Sequence, residues 1–251
     1  MVGLTRYRAT VAYCGTAYYG FQRQIAEQPT VQSQLEEALS QIVFRPVTVV
    51  GAGRTDSGVH ALGQVVTFDV VWSHGSGSLL RAINAHLPTD ISVLELQPVS
   101  SAFHPRYHAV SRTYEYHIYN FPIRHPLQQG RSWHVPQPLD IDRLNEASAV
   151  LIGVHNFATF GQAPKGDNTV RAVFRAEWQA EKTLLIFTIE ANAFLYRMVR
   201  SLVGTMKAVG EGSWTLEEFV AAFAAGNRQV AGNTAPPDGL YLIAVNYNRS
   251  D

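Results

Sequence analysis

The sequence has little cysteine, little lysine and no long apolar run. Cys14 is the single cysteine in 251 residues, which excludes a disulfide framework and a cysteine-based zinc site. No apolar stretch approaches the length that crosses a bilayer, and the first residues lack the apolar core of a signal peptide. We therefore expect a soluble, cytoplasmic protein with no membrane partner.

The sequence also lacks net charge, which taken alone argues against a nucleic-acid partner. The distribution of cations points the other way, because seventeen of the twenty are arginine, which forks onto phosphates and stacks on bases. Residues 97–138 contain four arginines, five histidines and one acid, and residues 191–210 contain three cations and no acid. These segments are either RNA-binding patches or ordinary solvated surface, and composition leaves both interpretations open.

Hydrophobic periodicity predicts the same order of elements twice: strand, helix, strand, strand, helix, strand. The first set is predicted at residues 4–13, 31–42, 46–51, 65–71, 80–87 and 91–96. The second set is predicted at residues 112–119, 141–151, 170–180, 184–190, 194–209 and 240–247, with an added helix at 215–226. This βαββαβ order is ferredoxin-like. We expect an α/β (α+β) protein with domains 1–104 and 105–251, whose mainly antiparallel sheets flank a basic active-site cleft.

A glycine-rich stretch separates two of the predicted strands: Gly51-Ala52-Gly53-Arg54-Thr55-Asp56-Ser57-Gly58-Val59-His60. A Rossmann fingerprint fails here because Asp56 holds the place of the third glycine. A phosphate-binding P-loop fails because Val59 and His60 follow the last glycine. Arg54 and Asp56 are two apart, so in an extended segment both face the same side. A glycine-rich turn, with Asp56 as a turn former, remains an open alternative.

Asp56 has no visible partner that would complete a familiar catalytic set. The sequence shows no nucleophile elbow, no histidine spacing typical of a metal site and no pattern that pairs a second carboxylate with Asp56. An aspartate can itself act as a covalent nucleophile, and an adjacent arginine keeps it ionised. The aromatic side chains of residues 112–119 are suited to stacking on an unstacked base.

Gly53-Arg54-Thr55-Asp56-Ser57-Gly58-Val59-His60 resembles the active-site motif of the TruA family of tRNA pseudouridine synthases. Ser57 stands where alanine is frequent in the family, a change between two small residues. Other stretches resemble further motifs of the family in the same order: Tyr18-Tyr19-Gly20-Phe21-Gln22-Arg23-Gln24, Phe103-His104-Pro105-Arg106, Ser111-Arg112-Thr113-Tyr114-Glu115-Tyr116, Asn192-Ala193-Phe194-Leu195-Tyr196-Arg197-Met198-Val199-Arg200 and Gly239-Leu240-Tyr241-Leu242. The resemblance covers almost the whole chain.

The resemblance implies isomerisation of uridine to pseudouridine at positions 38, 39 and 40 of the tRNA anticodon arm, with no cofactor and no metal. It implies that Asp56 is the catalytic nucleophile and that Tyr114, Arg54 and Arg200 bind the substrate. Tyr114 would lie against the target uridine, and Arg200 would pair with Asp56. Whether Asp56 attacks the base or the ribose carbon is left open.

The resemblance also implies a homodimer that binds tRNA across both chains. Trp178, Phe187 and Ile189 form an apolar surplus suited to the dimer interface, although they could equally cover the helices of their own half.

Two other functions remain open. An RNA-binding module without catalysis is disfavoured by the intact Arg54-Thr55-Asp56, and a nucleotide-binding protein or glycosidic hydrolase would need a P-loop lysine or a second carboxylate.

Overall fold

The computed structural model describes residues 3–24, 28–163 and 165–248, and within these ranges the chain forms ten strands and five α-helices. In chain order they are β1 (Thr5–Tyr13), α1 (Val31–Val43), β2 (Val50–Gly51), β3 (His60–Val70), α2 (Ser76–His86), β4 (Ile91–Val99), β5 (Ala109–Asn120), β6 (Trp133–Val135), α3 (Ile141–Ala149), β7 (Gly153–Asn156), β8 (Val170–Glu181), β9 (Leu184–Ala191), α4 (Met198–Gly210), α5 (Leu216–Ala224) and β10 (Leu240–Tyr247). Among the helices in these ranges, none is long and apolar enough to cross a membrane.

The chain divides into two compact units, and its last strand returns to the first of them. The first unit comprises Met1–Val110 and Leu242–Asp251, and the second comprises Ser111–Tyr241. A division into 1–104 and 105–251 does not anticipate this return. The unit to which a segment belongs is set by the residues that it contacts in space, and the linear order of elements does not contain that information.

Around the first unit the strand order is β4-β1-β3-β10, and the short strand β2 also pairs with β3. β1 runs antiparallel to both β3 and β4. Helix α1 begins at a capping box between Thr30 and Ser33, and it buries four apolar side chains: Val31, Leu35, Ala38 and Leu39. Helix α2 begins at Ser76 and buries Leu79 and Ile83.

Within the second unit the strand order is β5-β9-β8-β7, with antiparallel pairing between neighbours, and β6 lies parallel to β5. The whole protein is therefore a mixed α/β fold whose strand pairing is mostly antiparallel. Alternate residues of the predicted strand 170–180 would place Ala172, Phe174, Ala176 and Trp178 on one face of β8, and this expectation is wrong at one point. The pairing register shifts between Val173 and Arg175, and Phe174 is 55% exposed instead of buried.

The apolar residues expected at a dimer interface are buried inside the second unit. Trp178 is 3% exposed, Phe187 and Ile189 are fully buried, and the Trp178 ring stacks on Phe187 at 5.0 Å between centroids. The alternative given above, that these side chains cover their own half, is therefore correct. They provide no surplus surface for a second chain.

Helix α4 begins later than its apolar pattern predicts, at Met198 rather than Phe194. The residue before it, Arg197, has a left-handed backbone with φ of 60°. The loop that precedes β10 packs along the helix and clasps it, because Arg200 O accepts from Ala235 N at 3.0 Å and Thr205 Oγ1 accepts from Gly232 N at 3.0 Å. A Cβ at Gly204 would lie 1.7 Å from the carbonyl oxygen of Asn233, so only glycine allows this approach.

Replacing this glycine tests the clasp. We expect Gly204→Ala to lower the free energy of unfolding by about 2 kcal/mol, because the loop must move away from α4. Thermal unfolding followed by circular dichroism measures the effect. Gly77→Ala on α2 is the matched control, since the nearest atom to its added Cβ is a terminal nitrogen of Arg81 at 3.8 Å. The control should be as stable as the unchanged protein or more so, and equal melting temperatures for both variants would contradict the clasp.

Candidate active site

The glycine-rich loop joins the end of β2 at Gly51 to the start of β3 at His60. Its sharp turn is closed by a hydrogen bond from Val59 N to Asp56 O at 3.2 Å, and Gly58 takes a left-handed backbone with φ of 80°. Glycine adopts this conformation without a steric cost. The stretch is therefore a strand-to-strand loop, and no helix follows it as a phosphate-binding loop would require.

Thr55 is the inward anchor of the loop. Its side chain is 6% exposed, and its hydroxyl shares a buried hydrogen bond with the Tyr13 hydroxyl at 2.8 Å. Its carbonyl oxygen accepts from Phe21 N at 3.1 Å. The residues on either side face outward, since Arg54 is exposed and Asp56 is half-buried. That Arg54 and Asp56 face one ligand together stays a prediction.

The segment after β1 supports the other end of the loop. The carbonyl oxygen of Tyr18 accepts from Gly58 N at 3.3 Å and from the Ser57 hydroxyl at 3.2 Å. The Tyr18 hydroxyl donates to the Asp90 carboxylate at 2.5 Å, which ties the segment to the residue before β4. Burial, followed by this hydrogen bond, raises the pKa of Tyr18 well above its usual range, so the hydroxyl stays a donor.

The same segment approaches the loop so closely that two of its positions accept only glycine. A Cβ at Gly15 would lie 2.0 Å from Val59 O, and a Cβ at Gly20 would lie 2.7 Å from Thr55 O. Gly15 N also donates to Nδ1 of His60 at 3.0 Å, and His60 is 3% exposed. Asp56 thus sits in a loop whose neighbours on both sides are fixed by buried contacts.

Tyr114 lies in the second unit, on β5, opposite Ile189 of β9. Its half-buried ring meets Phe194 edge to face, with centroids 4.9 Å apart. Tyr116, two residues further, is fully buried and donates its hydroxyl to Pro236 O at 2.8 Å. Burial raises the pKa of Tyr116 far above its usual range, although the nearby Arg200 acts in the opposite direction.

Arg200 also lies in the second unit, in the first turn of α4. Its Nε donates to the carbonyl oxygen of Ala235 at 2.8 Å, which directs the half-buried guanidinium along the clasped loop. Asp56 and Arg54 belong to the first unit, and Tyr114 and Arg200 belong to the second. The pairing of Arg200 with Asp56 stays a prediction.

Sequence reasoning missed several residues that position the site. Tyr13 and Asp90 have no recognisable role in the sequence, and His60 is part of the loop motif without an assigned role, because partners 42 to 72 positions away in sequence define what they do. Asn192 is a similar case in the second unit: its N–H donates to Ala172 O, and its Oδ1 accepts from Ala172 N, at 3.0 Å each.

Among the described residues, no three His, Cys, Asp or Glu side chains group closely enough to hold a metal ion.

Comparison with known proteins gives a consistent result. A family model described as tRNA pseudouridine synthase matches residues 9–108 and 147–248. The chain is 43% identical over 243 residues to tRNA pseudouridine synthase A of Methylacidiphilum infernorum, covering 96% of this chain and 95% of that protein. It is 41% identical over 246 residues to the protein of the same name from Rhodospirillum rubrum, covering 97% and 88%. The corresponding protein of Neisseria meningitidis serogroup B is 39% identical over 243 residues, covering 96% and 92%.

The buried bond between Tyr13 and Thr55 can be tested by removing one hydroxyl. We expect Tyr13→Phe to lower the free energy of unfolding by about 1–2 kcal/mol, because the Thr55 hydroxyl remains buried and loses this partner. Urea unfolding measures the change. Tyr7→Phe is the control, since Tyr7 is buried on the same strand and its ring stacks on Phe68. A Tyr13 variant as stable as the control would show that the bond does not hold the loop.

Proposed function

The chain belongs to the tRNA pseudouridine synthase family, whose members are isomerases, and we propose that it converts uridine to pseudouridine at positions 38, 39 and 40 of the tRNA anticodon stem-loop. The observation that carries this proposal is the braced loop that presents Arg54-Thr55-Asp56. Loop position alone would leave a simple turn possible. The number of buried contacts that hold Asp56 in place is what a pre-positioned catalytic group needs.

The reaction is an internal exchange of bonds. The bond between the ribose C1′ and N1 of uracil breaks, the base turns, and a bond forms between C1′ and C5. N1 gains a proton, and C5 loses its proton to solvent. Substrate and product have the same composition, so the overall conversion needs no oxidant or reductant, in agreement with the expectation of no cofactor.

Asp56 is the proposed nucleophile in this exchange. The half-buried carboxylate can attack either the base or the ribose carbon, and it must be ionised to do so. Arg54 lies two residues away, and we propose that Arg200 pairs with the Asp56 carboxylate. Positive charge near a carboxylate favours its ionised form and fixes its orientation.

Tyr114 and Arg54 are the proposed contacts to the nucleotide. A uridine in a stem or loop must leave its stack before a protein group can reach its C1′ or C6. The Tyr114 ring, held edge to face by Phe194, offers a flat surface on which the everted base can stack. The exposed guanidinium of Arg54 is available to the phosphates that flank it.

Several wider features belong to the same proposal. The order β4-β1-β3 with β2 on β3 supports a ferredoxin-like first half, and we propose a matching second half with a basic cleft that receives the anticodon arm. We also propose a cytoplasmic homodimer that binds tRNA across both chains. Its interface must use residues other than Trp178, Phe187 and Ile189, which are buried.

The decisive experiment is tritium release from tRNA that carries 5-tritiated uridine, because C5 loses its hydrogen only when pseudouridine forms. Asp56→Asn keeps the shape of the side chain and removes its charge. We expect turnover to fall by more than about a thousandfold, with the melting temperature nearly unchanged. Glu37→Gln removes an exposed carboxylate from α1 of the same unit and is the control. Turnover of Asp56→Asn within tenfold of the unchanged enzyme would exclude Asp56 as the nucleophile, and no tritium release by the unchanged protein would identify an RNA-binding module or another chemistry instead.

Tyr114 can be tested with a pair of substitutions. Tyr114→Phe keeps the ring and should retain base stacking, so its KM should stay close to that of the unchanged enzyme. Tyr114→Leu removes the ring, and we expect it to raise KM by about tenfold or more. A loss of kcat in Tyr114→Phe alone would assign the hydroxyl to proton removal from C5. Unchanged kinetics in both variants would exclude Tyr114 from the site.

A further inference from the structure

We propose that residues 103–108 form a second RNA-binding element, in which the open face of Tyr107 stacks on an unpaired base of the tRNA. This turn, here called the Tyr107 turn, lies in the first unit and contains none of the four residues proposed for the active site. The inference rests on the proposed function in one respect: tRNA is taken as the RNA that binds. It adds a contact outside the reacting nucleotide.

Tyr107 presents one face of its ring to solvent. The residue is 76% exposed, although tyrosine is an amphipathic side chain that folding usually covers at least in part. The opposite face is covered by the imidazole of His104, with ring centroids 4.3 Å apart and an angle of 33° between the planes. A ring that is backed on one side and open on the other is the geometry on which a nucleic-acid base stacks.

The backbone of the turn is fixed by the same histidine. Nδ1 of His104 lies 3.2 Å from Arg106 N and 3.4 Å from Tyr107 N and accepts from both, and His104 O accepts from His108 N at 3.1 Å. Nδ1 can accept only while it carries no proton. Burial first, and then the charges of His108, Arg6 and Arg106, lower the pKa of His104, which favours the neutral ring that this arrangement requires.

The base of the turn is anchored to the sheet of the first unit. Phe103 is 3% exposed, and its ring lies 5.1 Å from that of Tyr247 on β10. The Tyr247 hydroxyl donates to Pro105 O at 2.7 Å. The guanidinium of Arg8 lies over both rings, 5.6 Å from the Phe103 centroid and 5.3 Å from the Tyr247 centroid.

Arg6 supplies a further anchor. Its guanidinium binds the Asp69 carboxylate through two bonds, at 2.9 and 2.8 Å, and it also donates to Ser101 O at 2.5 Å and to Phe103 O at 3.2 Å. An exposed aromatic residue on a floppy loop would lose conformational entropy when a ligand ordered it. A turn whose backbone is already fixed loses less conformational entropy when the ligand binds. More of the stacking free energy therefore contributes to affinity.

The charge around the turn favours an anionic occupant. Residues 97–112 contain no Asp or Glu, and Arg106, next to Tyr107, is exposed. Single exposed aromatic residues are common on protein surfaces and by themselves indicate nothing. The backing histidine, the anchored backbone and the local excess of cations together match a platform for a base with its flanking phosphates, rather than a docking site for an apolar protein surface.

The test measures binding of fluorescently labelled tRNA by anisotropy at one fixed salt concentration. We expect Tyr107→Ala to weaken binding between about fivefold and a hundredfold, the range that loss of one base–aromatic stack produces. Tyr107→Trp should bind tRNA about as tightly as the unchanged protein, because the indole also offers a flat face. Phe44→Ala is the matched control, since Phe44 is an aromatic residue of the same unit that is 93% exposed, and it should bind tRNA as tightly as the unchanged protein.

Steady-state kinetics of tritium release separate stacking from chemistry. Tyr107→Ala should raise KM and leave kcat within about twofold, because a contact outside the reacting nucleotide stabilises bound substrate and transition state equally. Equal binding by Tyr107→Ala and the unchanged protein would overturn the proposal, and so would an equal loss in Phe44→Ala or a failure of Tyr107→Trp to restore binding. A protein partner at this turn would leave the tRNA affinity unchanged and is excluded by the expected result.

The two proposals fail in different ways. If the unchanged protein releases tritium and Tyr107→Ala binds tRNA normally, the Tyr107 turn is not an RNA contact and the proposed function stands. If the unchanged protein releases no tritium while Tyr107→Ala loses affinity for tRNA, the turn is confirmed and the proposed reaction is wrong. Absence of any tRNA binding by the unchanged protein overturns both.

Discussion

The candidate site depends on the close approach of two backbone segments, the stretch after β1 and the loop that carries Asp56. At Gly15 and Gly20 the approach leaves no room for a Cβ, so the two segments contact each other through main-chain atoms. Such contact gives shorter and more rigid support than side chains could provide. The hydrogen bonds made by Tyr18 O and Thr55 O then fix the loop on both sides of Asp56.

This support has an energetic meaning for catalysis. Ordering the backbone of one residue costs about 1–2 kcal/mol, and a loop of small residues would otherwise sample many conformations. Here contacts formed on folding offset that loss of conformational entropy. They include the buried Tyr13–Thr55 hydrogen bond and the hydrogen bond from Tyr18 to Asp90. The loop that carries Asp56 is therefore ordered before any substrate binds, which is the advantage that the proposed nucleophile would need.

The second unit holds its two candidate site residues, Arg200 and Tyr114, in a related way. The left-handed backbone at Arg197 delays α4, so Arg200 falls in the first turn of that helix, and Ala235 fixes the direction of its Nε. Tyr114 is held by the pairing of β5 with β9 and by the edge of Phe194. Glycine at position 204 permits the loop to clasp α4. In both units a candidate site residue lies beside buried residues, such as Thr55 next to Asp56 and Ala235 at Arg200.

The amino-acid sequence determined the local features of this protein. The glycine-rich loop around Asp56, the capping boxes at Thr30 and Thr215 and the order of most strands and helices follow from residue types at short spacing. The tertiary structure alone decided that β10 returns to the first unit, that β8 exposes Phe174 and that Trp178 is buried. It also assigned Tyr13, His60 and Asp90 to the support of the loop. These features depend on which distant segments meet, on bulges and on left-handed residues, and hydrophobic periodicity carries no information about any of them.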